Sequence, residues 1–322
     1  MRGMIHDLWK KFLGVLVFGI VVTVVVLLIG NVSQMEVAVV AANGGDLALA
    51  ALFSLLIYSG RFLKWQIFLH VLHVDVPRPM SLRIFLCGIS MGITPGKLGE
   101  VLKSYLLKLE AGVDFSRTAP TVVAERLTGV VGCFLLCCSA FVISKGTAWY
   151  QVLAAAAAVS CVLSGILLFR SSLFAGWFRR GVAYLPFLRR KQEAIAEMYD
   201  SLAEILSPGG FLLCVFISIC YWSMECMVFV FVLRAFSVQL PLTEAVLSLT
   251  ALSLGSGITF LPGSIGALEG GMIGFFAYQG ISVATAGCIA LLHRFLLCGS
   301  MLGLAHCCCF ALIVGFCKSQ WC

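Results

Sequence analysis

The chain has 322 residues, of which 61% are hydrophobic and only 11% are charged, and its mean hydropathy is +1.05. Soluble domains contain about 25% charged residues, so this composition excludes an ordinary soluble domain and indicates an integral membrane protein. The formal net charge of +7 comes from Lys and Arg residues that flank apolar runs, and it does not indicate nucleic-acid binding.

The first spanning candidate is the uncharged run from Phe12 to Ile29, whose 18 residues are near the length of a bilayer-crossing helix. Arg2, Lys10 and Lys11 precede it, as in a signal peptide, but the run is long for such a peptide and more apolar segments follow. We therefore expect an uncleaved first helix. The further spanning candidates are 47–71, 120–143, 148–169, 211–233 and 285–316, the last long enough to tilt or break.

A different element lies between the second and third spans. Residues 82–94 and 97–109 would each form a helix of about 20 Å, which is too short to cross a bilayer. Because Pro95-Gly96 separates them, we predict a re-entrant helical hairpin that enters the membrane, turns and leaves on the same side. The second half has an equivalent pair at about 243–260 and 264–279, divided by Pro262-Gly263. This pair is longer and could cross the membrane, but two crossings would also return the chain to its starting side.

Both Pro-Gly motifs belong to an internal repeat. The segment GITPGKLGE at 92–100 resembles GITFLPGSIGALE at 257–269, and Glu125-Arg126-Leu127 resembles His293-Arg294-Phe295. The offset of 167 or 168 residues is about half of the chain, and such duplication is common in membrane transporters. We predict two membrane repeats, 1–145 and 146–322, in an all-α polytopic fold.

The predicted crossings also give the orientation of the repeats. Each half has three crossings and one hairpin, and an odd number of crossings inverts the second copy relative to the first. With a cytoplasmic N-terminus, 18 of the 22 Lys and Arg residues lie on the cytoplasmic side, including those of the 61–117 region. The sequence therefore predicts an inverted-topology repeat with both termini in the cytoplasm.

The linker 170–209 joins the two halves. Ile195, Met198, Leu202 and Ile205 recur at helical spacing, with acidic residues elsewhere on the turn. This pattern predicts an amphipathic helix at the membrane interface. Its basic start either meets anionic headgroups or serves ordinary positive-inside anchoring.

Charged side chains at membrane depth are costly, so they usually face a partner, a cavity or a transport pathway. A Pro-Gly break followed by a new helix exposes unpaired backbone N–H groups, which attract phosphate or carboxylate. We therefore predict that the two helix starts, with arginines nearby, bind an anionic headgroup between the hairpins. The predicted substrate-binding residues are Pro95, Gly96, Lys97, Gly99, Glu100, Arg126, Pro262, Gly263, Gly266, Glu269 and Arg294.

Several of these residues also have a purely structural interpretation. Arg126 and Arg294 could pair with Glu100 and Glu269 and fasten each hairpin to its neighbouring helix, and the two interpretations agree if the pairs open during transport. Lys97 could be a lysine that extends to the membrane interface.

Two further residues are candidates for coupling transport to protons, Glu125 and His293. For Glu125 the alternatives are neutralisation by an Arg elsewhere and exposure at the lipid interface. The 15 cysteines lie mostly in apolar runs without paired metal-ligand spacing, so we expect packing roles for them and neither a metal nor a cofactor.

The two Pro-Gly motifs, Glu125-Arg126-Leu127 and His293-Arg294 resemble the lysylphosphatidylglycerol synthase transmembrane, or flippase-like, family over almost the whole chain. This resemblance implies a polytopic inner-membrane protein that moves lipids between leaflets. The family often has Tyr where this chain has His293. The fused members carry a soluble aminoacyl-transferase domain, to which the resemblance does not extend, so lipid lysylation is not expected. The sequence offers no acid/base or metal cluster outside the isolated charges, so an enzyme is not expected either.

These observations predict a flippase that moves an anionic, polyprenyl or hopanoid-type lipid by alternating access, with membrane lipids as partners and no nucleic acid. One alternative is a membrane enzyme acting on lipid-linked phosphates or sugars, which would need an acid/base or metal cluster. Another is a scaffold or regulator that transports nothing.

Overall fold

A computed structural model of the chain describes residues 32–90, 100–144, 148–170, 192–258 and 266–299. Within these ranges the regular structure is helical, without strands, which confirms the predicted all-α class. The helices of the first half are α1 (Val32–Val40), α2 (Gly44–Val71), α3 (Arg78–Ser90), α4 (Leu102–Ala111), α5 (Phe115–Thr118), α6 (Pro120–Ser144) and α7 (Ala148–Arg170). Those of the second half are α8 (Gln192–Ile205), α9 (Pro208–Ala235), α10 (Leu242–Ile258), α11 (Ala267–Tyr278) and α12 (Val283–Arg294), which a π-helical turn (Phe295–Gly299) continues.

The long helices coincide with the predicted membrane spans. Among the described residues, three stretches are long and apolar enough to cross a membrane: Gly44–Val71, Phe115–Ser144 and Pro208–Ala235. The predicted span at 148–169 corresponds to α7, and the span that begins at 285 corresponds to α12 and the π-helical turn. The predicted first helix, Phe12–Ile29, lies outside the described residues.

The elements around the Pro-Gly motifs are also helical. In the first half α3 and α4 occupy the predicted hairpin, and in the second half α10 and α11 do so. Both turns, at 91–99 and 259–265, fall outside the described residues, so re-entry stays a prediction.

Helix lengths and turn glycines of the first half are repeated in the second half. The helices α2 and α9 are both 28 residues long, and α3 and α10 begin at matching distances after them. Gly112, after α4, and Gly280, after α11, both have positive φ, at 68° and 80°. Within the described residues, the 28-residue helix, the helix that follows it and the positive-φ glycine thus recur in both halves, whereas the inverted orientation and the boundary at 145/146 stay predictions.

By contacts, the chain forms two compact units that do not follow this boundary. The first unit comprises the described parts of 1–57, 86–100 and 223–322, and the second those of 58–85 and 101–222. The boundary between units crosses α2 at 57/58 and α9 at 222/223. Each unit therefore combines residues of the first half with residues of the second.

In the first unit, the early part of the chain packs on α12. Met35 of α1 is buried beside Ala284 and Cys288, and the Cys288 thiol donates to the Met35 carbonyl at 3.7 Å. On α2, the Ser54 hydroxyl donates to the Leu296 carbonyl of the π-helical turn at 2.5 Å. These contacts fix α12, the helix that carries Arg294.

In the second unit, α6 crosses α9 at very short range. A Cβ atom added at Gly132 would lie 2.7 Å from Ser218 Cβ, and one added at Gly129 would lie 2.7 Å from the Tyr221 hydroxyl. The Trp222 indole N–H donates to the Gly129 carbonyl at 3.0 Å. Such approach through small residues is how helices pack in membranes.

This crossing gives a stability prediction with a matched control. Ala at position 132 should lower the free energy of unfolding by about 1–3 kcal/mol, because the added methyl overlaps Ser218. Gly255 of α10 is exposed, and a Cβ added there would have no neighbouring atom within 4 Å, so Ala should be neutral or stabilising by up to about 1 kcal/mol. Thermal unfolding in detergent gives the midpoints of Gly132→Ala and Gly255→Ala, and that of Gly132→Ala should be lower. Equal midpoints would contradict the close crossing.

The predicted amphipathic helix of the linker is present as α8. It packs on α5 and α6 and buries Tyr199 and Ile205, and Ser116 of α5 hydrogen-bonds Glu197. Its apolar side thus contacts protein in this unit, which the prediction of an interfacial helix did not include. The basic segment before it lies outside the described residues.

Candidate functional site

The start of α11 is the described part of the second Pro-Gly motif. Gly266 precedes the helix with a φ of 87°, a left-handed conformation that favours glycine. The Glu269 carboxylate, three residues on, accepts the Gly266 N–H at Oε2 over 2.7 Å. The helix start that the sequence predicted as an anion site therefore already binds a carboxylate, the side chain of Glu269.

The same carboxylate is bound by the predicted arginine. Arg294 Nε of α12 donates to Glu269 Oε1 at 2.5 Å, so both Glu269 oxygens are engaged. The Glu269 side chain is 5% exposed, whereas that of Arg294 is 24% exposed. The structure thus brings together three of the predicted residues: Gly266, Glu269 and Arg294. The ion pair joins α11 to α12, and Arg294 is its more accessible member.

His293 lies beside this pair in sequence but has apolar surroundings. Its side chain is buried, and its ring meets Phe229 of α9 edge-on, with centroids 5.4 Å apart. Within the described ranges, its Nε2 has no hydrogen-bond partner. Its predicted coupling role stays a prediction.

Glu125, the other coupling candidate, lies at the centre of a buried cluster of charges in the second unit. Its Oε1 accepts from Arg61 Nη2 of α2 at 2.9 Å, and its Oε2 accepts from Lys103 Nζ of α4 at 2.8 Å. The Glu125 side chain is only 7% exposed. The alternative of exposure at the lipid interface is therefore wrong, and neutralisation by an arginine elsewhere describes its setting.

A third cation, Lys64, lies within the same cluster. It is 1% exposed and donates to the Ser218 hydroxyl at 2.7 Å and to the Glu125 main-chain carbonyl at 3.5 Å. Its ammonium also lies 5.7 Å from the centroid of Tyr221, within cation–π range. We call Arg61, Lys64, Lys103 and Glu125 the Glu125 cluster.

The three cations of this cluster were not predicted as site residues. Arg61, Lys64 and Lys103 lie in the basic region 61–117, which the sequence placed on the cytoplasmic side. One signal was available: Arg61 and Lys64 are three residues apart in an otherwise apolar helix, so they share a face that needs an acidic partner. Because these three residues are buried around Glu125, they contribute little to the positive-inside argument for the orientation of the chain in the membrane.

The remaining predicted site residues divide into two groups. Glu100 is 2% exposed just before α4 in the first unit, and Arg126 is partly buried on α6 in the second. Arg126 follows Glu125 directly and therefore points about 100° away from it around the helix. The others lie outside the described residues: Pro95, Gly96, Lys97, Gly99, Pro262 and Gly263.

Comparison with known proteins gives the family. The sequence profile described as the lysylphosphatidylglycerol synthase TM region matches residues 13–303. A UPF0104 membrane protein of Methanothermobacter thermautotrophicus is 22% identical over 309 residues, covering 87% of this chain and 89% of that protein. A second UPF0104 membrane protein of that organism is 25% identical over 280 residues, covering 80% of each chain.

A third relative, a UPF0104 membrane protein of Methanocaldococcus jannaschii, is 24% identical over 204 residues, covering 63% of this chain and 85% of its own length. The profile match spans most of the chain and includes both Pro-Gly motifs and Arg294. Together with the apolar spans, these matches show that the chain is a multi-pass membrane protein that belongs to the lysylphosphatidylglycerol synthase transmembrane-region family.

Proposed function

We propose that this protein moves an anionic amphipathic lipid between the leaflets of the cell's inner membrane, and that Arg294 binds the lipid headgroup. The observation that supports this most is the Glu269 carboxylate, held at the start of α11 by the Gly266 N–H and by Arg294. A carboxylate and a phosphate make similar hydrogen bonds to arginine and to helix starts.

In the proposed cycle the headgroup anion replaces Glu269 as the partner of Arg294. The ion pair is 2.5 Å long in the structure, so the site is closed at this point by a contact within the protein. The partial exposure of Arg294 gives an incoming anion one accessible donor, while Glu269 stays buried. Exchange of one anion for another keeps the arginine paired, whereas Glu269 keeps only the Gly266 N–H and loses its cation, which is the main cost of opening the site.

The proposal also includes how the lipid would cross the membrane. The two sequence halves would alternate access to the two leaflets, with both termini in the cytoplasm and no chemical change to the lipid. Arg126 of α6, which matches Arg294 in the repeat, stays a predicted substrate-binding residue. The residues of the Pro95 and Pro262 turns would complete the substrate contacts.

Headgroup selectivity tests this proposal. Liposomes that contain purified protein should exchange a fluorescent anionic lipid between leaflets faster than a zwitterionic lipid with the same acyl chains, because the site supplies cationic donors. A dithionite-quenching assay measures both rates, with protein-free liposomes as the control. Equal acceleration of the two lipids would contradict a headgroup site built on arginine.

A further inference from the structure

The Glu125 cluster places three cations around one carboxylate. Arg61 occupies Oε1 of Glu125 and Lys103 occupies Oε2. Lys64 contacts only neutral oxygens, those of the Ser218 hydroxyl and the Glu125 main chain, and has no carboxylate partner among the described residues. The hydroxyl proton of Ser218 is itself donated to the Cys214 carbonyl at 2.7 Å, which leaves the Ser218 oxygen as acceptor for Lys64.

This surplus of positive charge is buried. Lys64 is 1% exposed and the Lys103 side chain is 1% exposed. Aromatic rings surround both ammonium groups, with Trp65 4.9 Å from Lys103 and Tyr221 5.7 Å from Lys64. Rings and hydroxyls compensate a buried ammonium less well than an anion does, so the cluster is suited to accept an additional negative group.

We propose that Arg61, Lys64 and Lys103 form a binding site for a phosphate monoester group, in which Glu125 is the internal anion. A carboxylate offers two oxygens, and both are already engaged by two of the cations. A phosphate monoester offers three strong acceptor oxygens and up to two negative charges, which matches three cationic donors. Arg61, whose side chain is 21% exposed, is the accessible edge of the site.

The second half of the sequence has no such cluster at the matching positions. Aligning α2 with α9 by their equal length puts Val228 opposite Lys64 and Phe229 opposite Trp65, and the repeat puts His293 opposite Glu125. Val228 and Phe229 are fully buried, and Phe229 contacts the His293 ring. The surplus charge is therefore a property of one unit and is not required by the helix framework that both halves share.

The phosphate could be free in solution or form the head of a lipid, and binding measurements separate the two. One arm uses radiolabelled inorganic phosphate and the purified full-length protein in detergent, by equilibrium dialysis. The other uses native mass spectrometry of protein released from nanodiscs that contain phosphatidic acid, a monoester, or phosphatidylglycerol, a diester. Neither arm requires leaflet exchange, so failure of this site is distinguishable from failure of the proposed transport.

Lys64→Met should weaken binding of the phosphate monoester by at least about tenfold, the loss expected for one charged hydrogen bond. Lys108→Met is the matched control, because Lys108 lies on α4 with Lys103 but is 54% exposed. The Lys108→Met variant should bind phosphate as tightly as the unmodified protein does. In Glu125→Gln, phosphate should raise the unfolding midpoint more than in the unmodified protein, because it replaces the missing anion.

Each outcome decides one point. Saturable binding of phosphatidic acid alone supports a lipid headgroup as the ligand, and equal binding of inorganic phosphate supports a free phosphate. Three results would overturn the site: no saturable binding of either, the same affinity in Lys64→Met as in Lys108→Met, or phosphatidylglycerol binding as tightly as phosphatidic acid. The lysine comparison remains decisive if Glu125→Gln fails to fold.

Discussion

Replacing Glu125 with Gln is expected to lower the free energy of unfolding by about 3–5 kcal/mol. Gln keeps the shape of the side chain but removes the anion that Arg61 and Lys103 contact at 2.9 and 2.8 Å. The cluster would then hold buried cations with no carboxylate at its centre, and the cost of burying charge would no longer be offset. Thermal and denaturant unfolding in detergent, in phosphate-free buffer, measures the loss.

Two further variants make this prediction specific. Glu204→Gln removes an exposed carboxylate from α8 and should change stability by less than about 0.5 kcal/mol. The double variant Glu125→Gln/Lys103→Met should lose less stability than the sum of its single changes, because each removes a partner of the other. If Glu125→Gln were as stable as Glu204→Gln, the Glu125 cluster would not contribute to the fold.

Replacing Arg294 with Ala is expected to reduce leaflet exchange of an anionic lipid to the rate of protein-free liposomes. The change removes the guanidinium that binds Glu269 and that we propose binds the headgroup. Loss of one charged hydrogen bond in a buried site costs about 1.5–3 kcal/mol, so binding and exchange should fall by at least about tenfold.

The chain offers a matched arginine for this test. Arg234, at the end of α9, is 62% exposed and lies 3.5 Å from Asp46 near the start of α2. Arg234→Ala should keep the exchange rate of the unmodified protein, since Arg234 pairs with Asp46 and is not part of the proposed headgroup site. Unfolding midpoints of both variants show whether the protein is still folded. A folded Arg294→Ala protein with full exchange would remove Arg294 from the headgroup site.

The sequence predicted the long helices well because their signal is local. A helix such as α9 is one long apolar run that ends near Arg234, interrupted only by Glu225, and the runs at 120–143 and 148–169 are also long and mostly apolar. The helix α1 was not predicted, because its nine residues are too few for a clear period and Glu36 interrupts them. Its position depends on packing against Cys288, which is 253 residues from Met35.

The candidate site was predicted only in part, because only some of its contacts are local in the sequence. Glu269 and Gly266 are three residues apart, so a helix start after the Pro-Gly motif was enough to associate them. Glu125 is 64 residues from Arg61 and 22 from Lys103, and the face on which each side chain lies depends on how α2, α4 and α6 pack. Composition and spacing do not contain that information.

The measurement that tests lipid translocation most directly is leaflet exchange of fluorescent anionic and polyprenyl-phosphate lipids by the purified protein and by Arg126→Ala/Arg294→Ala, both reconstituted in liposomes. We expect exchange well above the protein-free rate for at least one of these lipids, and loss of that exchange in the folded double variant. Exchange by the unmodified protein no faster than in protein-free liposomes, or equal exchange by the double variant, would contradict it.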